Sequence, residues 1–368
     1  RQVFDHDATV IRRLARAGAV LAGKLAMVEL AGGGGYAYAS ASLHGPGLNP
    51  WNLRHWAGGS SSGSGSAVAA GLVPWALGSE TWGSIVTPSA YCGITGLRPT
   101  WGLVSRFGAM ELAWTMDKIG PMARTAEDCG WVLAAIAGPD PLDPTTAGRD
   151  FRFAPRVVRR PWRLGLLPAD FAGAPALATA FDEAVRVLRR AGMRIAPAPL
   201  PDHPYEQVAR TLLNGEIAAA HREFIASRRL DALVDRAQKA GLRAALRLRA
   251  SDQVRAEQAR WRIRREVLAL FERFDALLSP ALMTEATPLE TNLRTMPRPR
   301  GNWSVLGALC GVPALSLPMG FGPRGLPLGL AVTGPLFGEA TILQIGMVFQ
   351  RETDWHLRRP PAPTDRRS

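Results

Sequence analysis

Cysteine is scarce in this chain, and long apolar runs are missing. The three cysteines among 368 residues, Cys92, Cys129 and Cys310, lie far apart and show the spacing neither of metal ligands nor of a redox pair. An odd number of cysteines also makes a poor disulfide framework, which predicts a reducing compartment, the cytoplasm. No apolar run reaches the roughly 20 residues of a membrane-spanning helix. These absences exclude a disulfide scaffold and predict no membrane partner.

Lysine is equally scarce, so arginine supplies nearly all of the basic charge of the chain. Of 44 basic residues only three are lysine (Lys24, Lys118 and Lys239), and the formal net charge is +13. Residues 1–150 hold 11 basic and 11 acidic residues, whereas residues 151–368 hold 33 and 20. A basic surface for nucleic acid is therefore an interpretation that applies only to residues 151–368.

The N-terminal part reads as a helix, a short strand and a long loop. Apolar residues make up 47% of the chain, which is enough for a sizeable core. Helical spacing of apolar residues predicts a helix capped by Asp7 and ending at Gly18. The apolar run Ala19–Ala22 predicts a buried strand. Residues 32–66 are rich in glycine and serine and predict a loop.

Strand and helix patterns alternate beyond a proline-rich connector at residues 139–150. A strand at 164–167, a helix at 177–188 and a strand from Met193 predict a βαβ unit. Alternation on both sides of the connector favours one α/β sheet sandwiched by helices. The remaining predicted elements are strands at 276–278, 314–317 and 328–332 and helices at 303–309 and 341–349.

Two short motifs match known catalytic patterns but lack the local structure that those patterns need. Residues 18–25 (GAVLAGKL) fit the phosphate-binding pattern G-x-x-x-x-G-K, yet Leu25 stands where Ser or Thr binds Mg²⁺. Residues 59–63 (GSSSG) fit the G-x-S-x-G nucleophile elbow, yet no hydrophobic strand precedes them. Neither nucleotide binding nor a Ser-His-Asp triad is therefore favoured.

The segment that says most about chemistry is residues 57–102, AGGSSSGSGSAVAAGLVPWALGSETWGSIVTPSAYCGITGLRPTWG. A flexible linker is one interpretation of its serines, but they run directly into a compact apolar helix and strand. A second Gly-Ser turn follows at Trp82–Ser84. Two glycine-rich turns around one helix–strand unit can bring hydroxyls and backbone N–H groups to one place. Free N–H groups in such turns stabilise an oxyanion.

This segment resembles the signature of the amidase signature family, serine hydrolases that cleave carbon–nitrogen amide bonds. In that family a GGSS-G-S segment carries a serine behind a cis peptide bond, which matches Ser60. A later D-x-G-G-S-I segment carries the nucleophilic serine, which matches Ser84. Further matching segments are GITGLRPT (93–100), DKIGPM (117–122), FDALLSP (274–280) and GVPALSLP (311–318).

The resemblance covers the chain from about Asp7 to Trp355, and it implies a fold. The expected fold is α/β, a single amidase-signature domain over residues 1–359 with a central mixed β-sheet covered by helices on both faces. Residues 360–368 are expected to form a flexible tail.

The resemblance also implies a mechanism that uses no metal and no organic cofactor. Ser84 would attack the carbonyl of a small-molecule amide substrate and form an acyl-enzyme, and Ser60 would pass the proton to and from a base. The match assigns Ser84 and Ser60 to catalysis, the backbone N–H groups of Thr81, Trp82, Gly83 and Ser84 to the oxyanion hole, and Ser61 and Asp117 to substrate binding.

The third catalytic residue of the family is a lysine in a G-x-P-x-x-x-K segment, and this segment is not found in the chain. Lys24 precedes the serines, but it matches the lysine of a G-A-x-x-x-G-K-x-x-M segment, which is not catalytic in relatives. We expect the chain from Arg1 to be a truncated form of an active amidase; a catalytically dead fragment is the alternative. The gene sequence upstream of Arg1 tests this expectation.

Three residues of the signature depart from the family's usual pattern: Glu80 replaces Asp, Trp82 replaces the first Gly of a pair, and Val86 stands where many relatives have Arg. Relatives include stand-alone amidases and the A subunit of the tRNA-dependent amidotransferase, which feeds ammonia from glutamine to a partner subunit. Residues 33–50 and 80–82 look unlike the amidotransferase versions, which predicts a stand-alone amidase. Partner subunits are expected only for an amidotransferase, and a homodimer is left open.

A basic binding protein is the remaining alternative. Residues 236–265 hold 10 basic residues against two acidic ones. A solvated helix face in an arginine-rich protein explains this pattern without a ligand, because scattered basic residues are weak evidence for nucleic acid. Nucleic acid is therefore disfavoured as a partner. The basic residues that fall on one helix face are Arg236, Lys239, Arg243 and Arg247.

Overall fold

The computed structural model describes residues 4–297, 299–301 and 303–361, and in this part strands and helices alternate. The tail predicted for residues 360–368 lies outside the described residues from position 362 onward. The strands are Leu48–Asn49 (β1), Asn52–Trp56 (β2), Trp75–Glu80 (β3), Thr95–Arg98 (β4), Lys118–Ala123 (β5), Arg163–Leu166 (β6), Arg194–Pro197 (β7), Ala276–Pro280 (β8), Ala314–Phe321 (β9) and Pro327–Thr333 (β10). The α-helices are Thr9–Arg16 (α1), Ser62–Ala69 (α2), Val86–Cys92 (α3), Ala126–Ile136 (α4), Pro175–Arg190 (α5), Tyr205–Ala220 (α6), Arg222–Ala226 (α7), Arg236–Ala245 (α8), Ala250–Arg273 (α9), Val305–Cys310 (α10) and Glu339–Arg351 (α11). None of these helices is long and apolar enough to cross a membrane.

Eight strands form one mixed sheet in the order β3-β5-β4-β9-β10-β8-β6-β7. Neighbouring strands are antiparallel from β3 to β8. The pairs β8–β6 and β6–β7 are parallel. Parallel neighbours need a crossover connection, and α5 supplies it between β6 and β7, which confirms the predicted βαβ unit.

Helices cover both faces of this sheet because its central strands are apolar on both sides. On β8, Leu278 packs into a core with α1, α4, α5 and α11, whereas the adjacent Leu277 packs into a second core with α6, α9 and α10. Successive side chains of a strand point to opposite faces, so the two cores lie on the two sides of the sheet. The α3 helix lies on the second side, where Ala90 packs on Ala331 of β10. The predicted mixed sheet with helices on both faces is confirmed.

One predicted strand is wrong. Residues 19–22 have no regular secondary structure, and Val20 and Leu21 are 90% and 67% exposed. In the described part of the chain no strand pairs with this segment, and an apolar run without backbone partners does not form a strand. The preceding helix forms, but it spans Thr9–Arg16 with Ala8 as its N-cap residue, rather than starting from a cap at Asp7 and running to Gly18.

Candidate active site

Two strand–turn–helix units bring the two candidate serines together. Ser60 lies in the turn between β2 and α2, and Ser84 lies in the turn between β3 and α3. The Ser61 N–H donates to the carbonyl oxygen of Ser84 at 3.3 Å, which joins the two turns directly. The residues that the sequence match assigned to catalysis are therefore neighbours in the fold, although 24 positions separate them in the chain.

The turn that carries Ser60 depends on glycine. Gly58 has a φ of 84°, and a Cβ at this position would lie 2.8 Å from the Cα of Pro88 in α3. The peptide bond between Gly59 and Ser60 is cis. Ser60 is 1% exposed, and its Oγ makes no hydrogen bond within the described part of the chain. Because buried hydroxyls are normally paired, this oxygen is available to a group that takes part in the reaction.

The turn that carries Ser84 presents unpaired backbone N–H groups to a cleft. Trp82, Gly83 and Ser84 line this cleft, and their N–H groups have no hydrogen-bond acceptor among the described residues. Gly83 has a φ of 87°, which favours glycine, whereas Trp82 has no positive φ and tolerates its side chain. Adjacent free N–H groups form an anion-binding concavity, which suits a developing oxyanion.

A buried ion pair holds the turn of Ser84 at both ends. Glu80, the last residue of β3, accepts from Arg98 at 2.8 Å, and neither side chain is exposed. The second carboxylate oxygen of Glu80 accepts the N–H groups of Ile85 and Val86 at 2.8 and 3.0 Å. Burial raises the pKa of Glu80, but the charges of Arg98 and Lys118 together with the hydrogen bonds to the carboxylate outweigh this and hold the pKa below its usual value. The ionised Glu80 therefore ties the end of β3 to the start of α3.

Lys118 of β5 lies opposite Glu80 in the antiparallel register and is 2% exposed. Its Nζ donates to the carbonyl oxygens of Thr81 and Gly307 at 3.2 and 3.3 Å. Burial lowers the pKa of Lys118 to about 7, the charge of Arg98 acts in the same direction, and Glu80 opposes it. A lysine with this pKa is close to half-protonated at neutral pH.

We expect the stability of the fold to rise between about pH 7 and pH 9 because of Lys118. The unfolded residue keeps its proton up to its usual pKa of 10.5, whereas the folded residue releases it near 7. In this window the unfolded state holds more protons, so a higher pH favours the folded state by about 2 kcal/mol. Urea unfolding of the wild type and of Lys118→Met at both pH values measures the effect. An equal rise in the variant would contradict the assignment.

The two candidate substrate-binding residues, Asp117 and Ser61, contact the protein's own backbone and turns. Asp117 accepts the N–H groups of residues 112–113 with one oxygen and the Thr81 hydroxyl at 2.5 Å with the other. The Ser61 hydroxyl lies 3.2 Å from both the N–H and the carbonyl oxygen of Ser79. Neither residue lines the cleft around Ser84. These contacts position the two turns, and substrate binding by either residue stays a prediction.

Lys24 lies at the protein surface, whereas both serines are buried. It is exposed, and its Nζ stands 5.0 Å from the ring centroid of Phe4. Among the residues described by the structure, no lysine donates a hydrogen bond to Ser60 or Ser84. This placement is consistent with the expectation that Lys24 is not the base.

The cleft at Ser84 has a volume of about 790 Å³, within the range of small-molecule sites. Trp82 packs partly against the second core and also lines the cleft. The guanidinium carbon of Arg210, from α6, lies 5.7 Å from the centroid of the Trp82 ring. Other aromatic and aliphatic residues of the cleft wall are Tyr36, Trp56, Tyr91, Leu213, Leu282 and Trp303.

The basic segment at residues 236–265 is less of a free surface than its composition indicates. Arg260 is 9% exposed and donates to the Leu309 carbonyl oxygen at 2.9 Å and to Thr115. Arg243 pairs with Asp231 at 2.8 Å. Because part of its charge is used inside the protein, this segment offers less charge to a nucleic acid.

Arg98 and Lys118 are site residues that the sequence analysis missed. Both stand in segments that were matched, GITGLRPT and DKIGPM, and both belong to strands whose other residues are apolar or small. Arginine and lysine are almost never fully buried unless they are paired, so a lone cation in an apolar strand is a signal for a buried network. Which residue pairs with such a buried cation, and where that residue lies, follows only from the register of the sheet.

Known proteins resemble this chain over nearly its whole length. The family model described as Amidase matches residues 2–343. The A subunit of the Glutamyl-tRNA(Gln) amidotransferase from Roseiflexus sp. (strain RS-1) is 36% identical, covering 98% of this chain and 79% of that protein. The structure of a peptide amidase from Stenotrophomonas maltophilia has 33% identity and a TM-score of 0.83, covering 97% of this chain and 78% of that one. The structure of the corresponding A subunit from Thermotoga maritima has 27% identity and a TM-score of 0.76, covering 94% and 76%.

Proposed function

This chain belongs to the amidase family and is a hydrolase of carbon–nitrogen amide bonds, and we propose that Ser84 is its nucleophile. The observation that carries this assignment is the set of unpaired N–H groups at Trp82, Gly83 and Ser84 in the wall of the cleft. When a serine attacks an amide, negative charge develops on the carbonyl oxygen. N–H groups beside the attacking serine stabilise that charge where it forms.

The proposed reaction has two steps. The Ser84 oxygen attacks the carbonyl carbon of the amide, the tetrahedral intermediate collapses, and the amine leaves with a proton while the acyl group stays on Ser84. Water then attacks the acyl-enzyme and releases the acid. Each step passes through an oxyanion at the same N–H groups, so the turn at residues 82–84 serves both steps.

Ser60 is proposed to carry the proton between Ser84 and a general base. Its support is the position beside the Ser84 turn and the buried Oγ that has no partner among the described residues. A hydroxyl can donate one proton while it accepts another, so it can pass a proton without holding a charge. Positioned proton transfer of this kind contributes typically about 10²–10⁴-fold to the rate.

The proposed substrate is a small linear amide with an apolar or aromatic part, handled by a stand-alone amidase in the cytoplasm. The aromatic walls and the volume of the cleft support the substrate class. The TM-score of 0.83 with the peptide amidase, against 0.76 with the Thermotoga maritima protein, supports the stand-alone form. The three described cysteines are free and buried, in line with a reducing compartment.

The test is a screen of aryl and alkyl amides with the protein expressed from its complete gene. We expect release of amine, and rapid acid quenching should trap a peptide that carries the substrate's acyl mass on Ser84. Mass spectrometry of the peptide that contains residues 79–92 locates the label. Hydrolysis with the acyl group on another residue would overturn the assignment of Ser84.

The A subunit of a tRNA-dependent amidotransferase is the second candidate, and the 36% identity with the Roseiflexus protein favours it. The two candidates differ in the source of the amide that Ser84 attacks. A glutaminase assay with and without tRNA and partner subunits separates them. Ammonia release from glutamine that depends on both additions would support the amidotransferase, whereas turnover of simple amides alone supports the stand-alone enzyme.

A further inference from the structure

The carbonyl oxygen of Thr81 accepts a hydrogen bond from a buried lysine, Lys118. From this geometry we infer that Lys118 is a positioning residue for amide hydrolysis, which holds the Thr81 carbonyl inside the protein so that the Trp82 N–H points into the cleft. The inference rests on the proposed function, because it concerns the oxyanion hole beside Ser84.

Lys118 is the donor that satisfies the Thr81 oxygen. Its Nζ lies 3.2 Å from that oxygen, and no other donor to it is found in residues 4–297, 299–301 and 303–361. The same Nζ reaches the Gly307 oxygen at 3.3 Å, at the N-terminal part of α10. Two carbonyl oxygens from two separate elements therefore converge on one amine, which is 2% exposed.

The planarity of the peptide bond connects this contact to the cleft. Among the described residues the Gly59–Ser60 bond is cis, and the Thr81–Trp82 bond is trans. In a trans peptide the carbonyl oxygen and the N–H of the next residue point in opposite directions. With the Thr81 oxygen turned toward Lys118, the Trp82 N–H is turned toward the cleft that Trp82 lines.

Without the Lys118 amine, the Thr81 carbonyl would lose the contact that holds it in this orientation. The Thr81 oxygen would then be buried without a donor, which is costly for a carbonyl group. Rotation of the Thr81–Trp82 peptide would relieve this cost, because the Thr81 oxygen would then face the cleft. The Trp82 N–H would face the protein interior. The oxyanion would then meet a carbonyl dipole of the wrong sign in place of a donor.

The surroundings of Lys118 keep the amine in place. Its charged neighbours are Glu80 and Asp117, which attract the ammonium, and Arg98 and Arg260, which repel it. Asp117 also accepts the Thr81 hydroxyl at 2.5 Å, so Thr81 is held at its side chain as well as at its carbonyl. With the side chain fixed, the peptide plane after Thr81 is the part that Lys118 controls.

The experiment compares variants of the full-length protein that lack the donor. Lys118→Met and Lys118→Leu remove it, and Lys239→Met is the control, because the half-buried Lys239 also donates to a backbone oxygen at 3.2 Å, that of Asp231. A fluorophosphonate probe titrates reactive Ser84, and kcat is divided by the labelled fraction. The division by the labelled fraction keeps unfolded protein from lowering the measured kcat.

We expect kcat per labelled site to fall roughly 10²–10³-fold in both Lys118 variants, as for the loss of one oxyanion donor, with little change in KM. Crystals of a variant should show the Thr81–Trp82 peptide rotated, and Lys239→Met should match the wild type. A folded Lys118 variant with wild-type kcat, or with an unrotated peptide, would overturn the inference alone. A wild type that is not labelled at Ser84 would instead refute the proposed function.

Discussion

Replacement of Ser84 by alanine is expected to lower the rate of amide hydrolysis by roughly 10⁴–10⁶-fold, as for the nucleophile of other serine hydrolases. The variant keeps the N–H groups of the turn and the cleft but has no oxygen that can form an acyl-enzyme. Its fold should be unchanged, because Ser84 is 7% exposed and its hydroxyl makes no hydrogen bond among the described residues. Steady-state kinetics and intact mass after fluorophosphonate treatment measure the loss.

Ser62→Ala is the matched control for Ser84→Ala. Ser62 stands two residues after Ser60, and its Oγ donates to the Ala26 carbonyl oxygen at 3.4 Å, away from the cleft. We expect near wild-type kinetics and labelling for this variant. Wild-type labelling of Ser84→Ala, or an equal loss in Ser62→Ala, would show that another residue attacks the amide.

Replacement of Arg98 by methionine is expected to destabilise the fold by about 3–5 kcal/mol, because it leaves the buried carboxylate of Glu80 without its ion-pair partner. Arg98 also donates to the carbonyl oxygens of Ser304 and Val312 at 3.1 Å each, and both would lose a donor. A Cβ at Gly307 would lie 2.0 Å from the guanidinium carbon, so the guanidinium fills its space closely. The shift of the urea midpoint measures the destabilisation.

Two further variants separate the ion pair from general packing. Glu80→Gln added to Arg98→Met should restore part of the stability, since the uncompensated charge is then gone. Arg190→Met breaks the exposed pair of Arg190 with Glu183 and should leave the midpoint nearly unchanged. If Arg98→Met unfolded at the wild-type midpoint, the pair would not be what holds the Ser84 turn.

The assignment to the amidase family rests on segments whose residues are close together in the sequence. The glycine-rich turns around Ser60 and Ser84 are recognisable because their backbone needs glycine, as the φ of 84° at Gly58 illustrates. The βαβ unit at residues 163–197 was equally visible, because its strands and helix are contiguous and their apolar periods differ. These two features were predicted correctly, whereas the hairpin of β1 and β2 within residues 32–66 was wrongly predicted as part of a loop.

Composition misled where the outcome depends on distant partners. The apolar run at 19–22 predicted a strand, yet no strand of the described part pairs with it. Arg260 counted toward a basic surface, yet it is buried against Leu309, 49 positions away. A strand requires a neighbouring strand to pair with, and a basic binding surface requires exposed side chains. Neither can be predicted from a short segment of sequence.

By itself the sequence determined the amidase family and the α/β fold of this protein, and it located the two turns that carry Ser60 and Ser84. Only the tertiary structure decided which side chains support these turns. Glu80 and Lys118 are 38 positions apart and meet because β3 and β5 pair in one register, and Arg98 joins them from β4. One of the three lysines is buried beside the turn of Ser84, where its amine donates to the carbonyl oxygens of Thr81 and Gly307.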